Sequence, residues 1–172
     1  CLKIHIIKMK TMPFTPLHLG LGTVTKTVLQ QHFSFMIFAG TQVLMDIEPL
    51  LGMLYGWQEL HRHTHHLLGA LLIGTLALLL GKPMSEFILK YRQFEHWKIS
   101  WRVATVSAFF GSFSHVLLDA LMHSDMSPFY PLSNSQILLN LIPYTWLLYS
   151  CLAGIFIGGS MFLIQSNIFK KP

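Results

Sequence analysis

Residues 103–123 read VATVSAFFGSFSHVLLDALMH, an apolar stretch whose only carboxylate belongs to Asp119. A membrane-spanning helix needs about 20 consecutive, mostly apolar residues, so this stretch predicts a span. Ionisable groups at membrane depth are costly and need a partner, a cavity or a bound ion. The face that carries His115 and Asp119 must therefore turn towards the inside of a helical bundle.

The composition of the whole chain agrees with a membrane protein. Of its 172 residues, 52% are hydrophobic and only 11% are charged, whereas soluble domains carry about 25% charged residues. We expect residues 12–172 to form a single membrane-embedded domain. Residues 1–11 do not begin with Met, and we expect them to be a non-native or upstream extension. The two cysteines are far apart and predict neither a disulfide nor a cysteine metal site.

Apolar segments recur along the chain without any strand-like alternation. They predict an all-α, integral membrane bundle of four to five helices. The first and third segments are short for a span, so the first either crosses the membrane or lies on its inner surface, which would separate His18 from the other ligands. The segments cover residues 16–31, 33–54, 66–81, 103–123 and 138–164.

The basic residues predict the orientation in the membrane. Lys and Arg concentrate in 82–102 and at 170–171, whereas 55–65 holds only Arg62 and 124–137 holds none. Basic loops stay on the cytoplasmic side, so we expect 55–65 and 124–137 to lie on the outer face of the membrane. Because the basic residues bracket apolar segments, we expect the bilayer as a partner and no nucleic acid.

Three groups of residues near the outer ends of these segments could bind a metal ion. His115 and Asp119 are four residues apart and share a helix face, and His61 and His65 repeat this spacing. Imidazole and carboxylate are standard ligands of Zn²⁺ and other divalent cations. The third group is the acidic step Asp46-Ile47-Glu48-Pro49.

Each group also has a purely structural interpretation. His115 and Asp119 could satisfy each other as a buried hydrogen-bonded pair, the four histidines of 61–66 could form a wet interfacial turn, and Asp46 and Glu48 could mark a helix end. His18 stands alone in an apolar context, where a histidine is more often a core residue than a ligand. A structural protein held by polar contacts between its helices therefore remains an alternative.

The motifs taken together resemble the YdjM-type family of membrane-bound, metal-dependent hydrolases. The resemblance implies a multi-helix inner-membrane protein in which residues 12–172 form a hydrolase-like domain with a divalent metal site. It also favours His18 as a ligand. Glu48 replaces a more usual Asp, and the spacing leaves open whether His65 or His66 is the second histidine of its pair. The resemblance rests on the order of short motifs at His18, Asp46/Glu48, His61-Arg62/Thr64-His65 and Ser114-His115/Asp119.

The resulting hypothesis is hydrolysis of an ester or phosphoester by water that one or two metal ions activate. The hypothesis includes lipid-linked substrates. Glu48 is the candidate general base, and Arg62 is the candidate clamp for an oxyanion or phosphate. Zn²⁺ is the expected cation, with Mn²⁺ and Mg²⁺ as alternatives. The competing hypothesis is a non-catalytic metal-binding or metal-transport protein. The expected ligands are His18, Asp46, His61, His65, His115 and Asp119.

Overall fold

The computed structural model describes residues 17–168 apart from Gln58 and Arg62, with side chains described as far as Ile164. The described residues form five α-helices and a 3-10 turn with no strand, which confirms the all-α prediction. The helices are α1 (Leu19–Leu29), α2 (Phe35–Tyr55), α3 (Leu67–Tyr91), α4 (Trp101–Met122) and α5 (Tyr144–Ile168), and the turn Gln30–His32 joins α1 to α2.

Among the described helices, α2, α3, α4 and α5 are long and apolar enough to cross a membrane. Helix α1 has 11 residues and is therefore about 16 Å long, about half the thickness of the hydrocarbon core. The structure thus favours four spans. The prediction that a non-spanning first segment would leave His18 apart from the other ligands is wrong, because His18 Nε2 lies 3.5 Å from Asp119 Oδ1.

Helix α4 lies at the centre of the bundle and packs against both α2 and α3. More than half of its apolar span, 56%, is buried inside the protein, compared with 11% for α5. Small residues on α4 permit this close packing, since they let helix backbones approach each other. They include Ala104, Ser107, Ala108, Gly111 and Ser112.

Helix α3 continues to Tyr91 instead of ending near residue 81. The extension carries charged groups: Lys82 Nζ lies 2.7 Å from Glu86 Oε1 one turn later and 4.7 Å from the centre of the Trp101 ring. Lysine stems can cover apolar surface while the ammonium group stays near water. The basic end of the bundle is therefore the end at which α3 finishes and α4 begins.

Helix α1 is held close to α5 by glycines. A Cβ atom on Gly20 would collide with the backbone carbonyl of Cys151, and one on Gly154 would lie 2.8 Å from the carbonyl oxygen of Gly20. Thr23 reinforces the pair, since its hydroxyl donates to the carbonyl of Gly154 at 2.8 Å. This close approach fixes the N-terminus of α1, and with it His18, beside the end of α4.

Candidate metal centre

The ionisable residues meet where α2 and α4 end and α3 begins. Asp46 lies in the second half of α2, His115 and Asp119 lie in the last turns of α4, and His65 belongs to the loop before α3. His18 reaches the same place from the residue before α1. The turn out of α2 is made by Gly56, whose φ of 70° is accessible to glycine without strain.

Asp119 is the central residue of the cluster. Its Oδ2 atom lies 3.1 Å from His115 Nε2 and 3.4 Å from His65 Nε2. Its Oδ1 atom lies 3.5 Å from His18 Nε2 and 3.8 Å from His123 Nε2. Four imidazole rings thus direct the same type of nitrogen towards one buried carboxylate, and His115 Nε2 also lies 3.3 Å from Asp46 Oδ1.

The His115 ring is oriented by Gln42 on α2. His115 Nδ1–H donates to Gln42 Oε1 at 2.6 Å, and the Gln42 amide nitrogen donates to the Gly111 carbonyl at 3.0 Å. The second bond fixes which end of the amide faces the ring. Nδ1 therefore carries a hydrogen, and in the neutral ring the lone pair of Nε2 points into the cluster.

The His65 ring is oriented by a relay through Thr64 to Glu48. The Thr64 hydroxyl donates to Glu48 Oε2 at 2.6 Å, so it accepts a hydrogen bond from His65 Nδ1–H at 2.8 Å. Glu48 also accepts the backbone N–H groups of His63 and Thr64, both at 2.7 Å. Glu48 therefore holds the loop and the tautomer of His65.

His61 and His123 form a second pair of rings beside this cluster. They are stacked with centroids 4.3 Å apart and an interplanar angle of 23°. His61 Nδ1–H donates to the Asp125 carboxylate at 3.1 and 3.2 Å, and the Leu60 N–H also donates to Asp125, at 3.2 Å. This arrangement repeats the pattern of an oxygen partner behind the ring.

His18 is 2% exposed, and its Nε2 atom has no hydrogen-bond partner among the described residues. A small apolar pocket with room for about one water molecule adjoins its ring. The pocket is lined by Leu17, Leu118, Met122, Tyr144, Leu147, Leu148 and Cys151.

Burial favours the neutral form of three histidines of the cluster. Burial lowers the pKa of His18, His65 and His123, because the charged ring loses its hydration. The hydrogen bond from His61 holds the pKa of Asp125 well below its usual range. Neutral imidazole is the form that binds a metal ion.

The structure brings together all six ligands predicted from the sequence, and the ring centroids of His61 and His65 are 4.7 Å apart. Of the two histidines left open, His65 is buried in the cluster and His66 caps α3, where its Nδ1 accepts the Gly69 N–H at 3.0 Å. Glu48 lies behind His65, on the Nδ1 side of the ring, which argues against the predicted general-base role. Arg62 lies outside the described residues.

Three further residues belong to the site, namely Gln42, His123 and Asp125. Gln42 is a single amide in an apolar helix, and no spacing rule connects it to His115. Asp125 follows His123 in the turn after α4. The one usable signal for Asp125 is its position two residues after His123, and that spacing does not predict the contact with His61.

The donor atoms fit a divalent cation. In zinc sites the metal–nitrogen distance is about 2.0–2.1 Å and the geometry is tetrahedral, which places ligand atoms about 3.3 Å apart. His65 Nε2 and His115 Nε2 are 3.3 Å apart. Histidines that bind metals usually donate their other ring N–H to an oxygen, as His61, His65 and His115 do. Three overlapping sets of residues could hold a cation, and within each set the ligand atoms lie within 4.8 Å of one another. The sets are His18/His115/Asp119, Asp46/His65/His115 and His61/Asp119/His123.

The comparison with known proteins agrees with a membrane protein. No curated protein and no solved structure matches the chain. Among protein families, the one described as YdjM inner membrane protein matches residues 12–169, which is most of the chain. The chain therefore belongs to the YdjM inner membrane protein family.

Proposed function

We propose that this protein is a membrane-bound, metal-dependent hydrolase that holds a divalent cation, Zn²⁺ in the first instance, between Asp46, His65, His115 and Asp119. The observation that carries the proposal is the approach of His65 Nε2 to His115 Nε2 at 3.3 Å beside Asp119. Both rings already use Nδ1 to donate to an oxygen. Two neutral rings would then face each other with lone pairs, which a shared cation would stabilise.

A purely structural cluster is the competing explanation. It would require a proton on Nε2 of one ring and hence a buried imidazolium ion between Asp46 and Asp119. The oxygen partners of Nδ1 in His65 and His115 support the cation instead. Such partners fix the tautomer and the direction of a ligating nitrogen.

A divalent cation at this position would polarise an ester or phosphoester and make water more acidic, which is the chemistry that hydrolysis needs. The residues of the chain would supply orientation: Gln42 fixes His115, and Thr64 with Glu48 fixes His65. The Asp46 side chain is 29% exposed, compared with 4% for Asp119. Asp46 therefore marks the side from which a substrate would approach.

The location of the ligands favours a fixed site over a transport path. Among the described residues, the groups able to hold a cation all lie at one end of the bundle, whereas a carrier needs ligands along its path. We place this end on the outer face, because the opposite end carries Lys82, Lys90, Arg92, Lys98 and Arg102.

The position of the site at the membrane surface leads us to propose a lipid or lipid-linked phosphoester as substrate. Arg62 follows His61 directly in the sequence, and an arginine there could bind a phosphate in a bidentate manner. This role of Arg62 is a proposal from the sequence.

The experiment is an activity assay of the detergent-purified protein after removal and return of Zn²⁺, Mn²⁺ or Mg²⁺. Three probes cover the bond types: a chromogenic phosphodiester, a chromogenic carboxylic ester and a phosphatidic acid micelle. We expect hydrolysis that requires the metal, is lost in His115→Gln and is kept in His63→Ala. His63 is the matched control because its side chain is exposed and only its backbone contacts Glu48.

Metal binding without hydrolysis of any probe would favour the non-catalytic metal-binding alternative. Absence of bound metal in the wild-type protein would overturn both the hydrolase hypothesis and the metal-binding alternative.

A further inference from the structure

The two oxygens of Asp119 face two different sets of histidines. Oδ2 is near His65 and His115, at 3.4 and 3.1 Å, whereas Oδ1 is near His18 and His123, at 3.5 and 3.8 Å. A carboxylate that binds one cation through one oxygen leaves the other oxygen for a neighbour. This division is the arrangement of a bridging carboxylate.

The Oδ1 side has ligands of its own. His61, His123 and Asp119 offer atoms within 4.8 Å of one another, separately from the set formed by Asp46, His65 and His115. The stacked rings of His61 and His123 have similar planes, differing by 23°.

His61 is supported in the same manner as the ligands of the first position. Its Nδ1–H donates to Asp125, which is itself held by the Leu60 N–H at 3.2 Å. A carboxylate behind an imidazole fixes the ring and raises its basicity as a ligand.

The third observation is an unpaired atom. His18 Nε2 is buried without a hydrogen-bond partner in the described part of the chain, and it points towards Asp119 Oδ1. Burying a polar atom without a partner costs free energy. A cation beside Oδ1 would remove this cost.

We propose that the centre binds two divalent cations bridged by Asp119. The first lies between Asp46, His65 and His115, as in the proposed function on which this inference rests. The second lies between His61, His123 and Asp119 Oδ1, with His18 beside it. Nitrogen and carboxylate ligands of this type suit Zn²⁺ and Mn²⁺.

The test is the metal stoichiometry of the full-length protein in detergent, titrated with Zn²⁺ and measured by elemental analysis. We expect two equivalents in the wild type and in His63→Ala, and one in His123→Ala. Asp125→Asn changes the residue that accepts the hydrogen bond from His61. It should lower the affinity for the second equivalent alone, by about 10- to 100-fold.

Titration with Mn²⁺ provides an independent measurement by electron paramagnetic resonance. Two Mn²⁺ ions bridged by a carboxylate should give an exchange-coupled spectrum in the wild type and an isolated six-line spectrum in His123→Ala. One equivalent in the wild type that His123→Ala and Asp125→Asn leave unchanged would overturn the second position alone. Zero equivalents would overturn the proposed function as well.

Discussion

His65 Nε2 lies 3.3 Å from His115 Nε2, although one ring comes from the loop before α3 and the other from α4. Thr64 and Gln42 orient the two rings by accepting hydrogen bonds from their Nδ1 atoms. Because both Nδ1 atoms carry hydrogens, a proton between the rings would create a buried imidazolium ion, whereas a divalent cation leaves both rings neutral. The supporting residues therefore determine what the cluster can bind.

Gln42 should control metal affinity without touching the metal. We expect Gln42→Leu to weaken Zn²⁺ binding about 10- to 100-fold, since loss of such an outer partner typically has this effect. Gln42→Glu should bind more tightly than Gln42→Leu, because a carboxylate still accepts from His115 Nδ1–H. Competition with a chromogenic chelator measures both constants, and equal affinity in wild type and Gln42→Leu would contradict the assignment.

Glu48 should act on the position of His65, not as the base. Glu48→Gln replaces an acceptor with an NH₂ group that faces the Thr64 and His63 donors, and we expect about 1–3 kcal/mol of destabilisation. Metal affinity should fall together with thermal stability in detergent.

Thr64→Val is the companion variant to Glu48→Gln, because it removes the hydroxyl that links Glu48 to His65 while keeping the side-chain volume. It should lower metal affinity in the same direction, and Thr64→Ser should retain affinity. A general base would behave differently. Glu48→Gln would then lower kcat while leaving Zn²⁺ affinity and the unfolding temperature at their wild-type values.

Gly20 should be intolerant of even one methyl group. A Cβ atom there collides with the Cys151 carbonyl, so Gly20→Ala should destabilise the protein by about 1–3 kcal/mol, as overpacking does. For a chain of this size that corresponds to a fall of about 2–4 °C per kcal/mol in the unfolding temperature. Gly159→Ala on α5 is the control, since its Cβ would meet nothing within 4 Å. Equal unfolding temperatures for the two variants would show that α1 and α5 do not pack this closely.

Bound metal should resist mild acid. Burial lowers the pKa of His18, His65 and His123, so these rings stay neutral below the usual histidine value of about 6.5. Protons therefore compete with the metal only at lower pH. In the same range the unfolded chain binds more protons than the folded one at these rings, so their contribution to stability falls as the pH falls. Zinc content after dialysis between pH 8 and 5 measures the release, and half-release above pH 7 would contradict this reasoning.

The sequence predicted the parts of this architecture that depend on local spacing. His115 and Asp119 share a face because they are four residues apart, and the apolar segments 33–54 and 103–123 predicted α2 and α4. The start of α5 was placed too early, at 138, because apolar residues continue through a turn that ends at Pro143. Composition alone does not separate such a turn from the helix.

Contacts between distant segments could not be predicted from spacing. Gln42 is only one amide in an apolar helix until α4 packs against α2, and the short α1 helix brings His18 to Asp119 only because Gly20 and Gly154 allow close packing with α5. The role of Glu48 depends on how the loop before α3 folds back to donate backbone N–H groups. Each of these relationships joins residues that are far apart in the sequence.

The central claim is that His65, His115 and their carboxylate neighbours bind a divalent cation, and X-ray absorption at the zinc edge tests it most directly. The protein loaded with Zn²⁺ in detergent should show only nitrogen and oxygen scatterers at about 2.0–2.2 Å, with the outer-shell features of imidazole. The imidazole features should weaken in His115→Ala and remain in His63→Ala. A sulfur scatterer at about 2.3 Å, or a spectrum unchanged in His115→Ala, would contradict the claim.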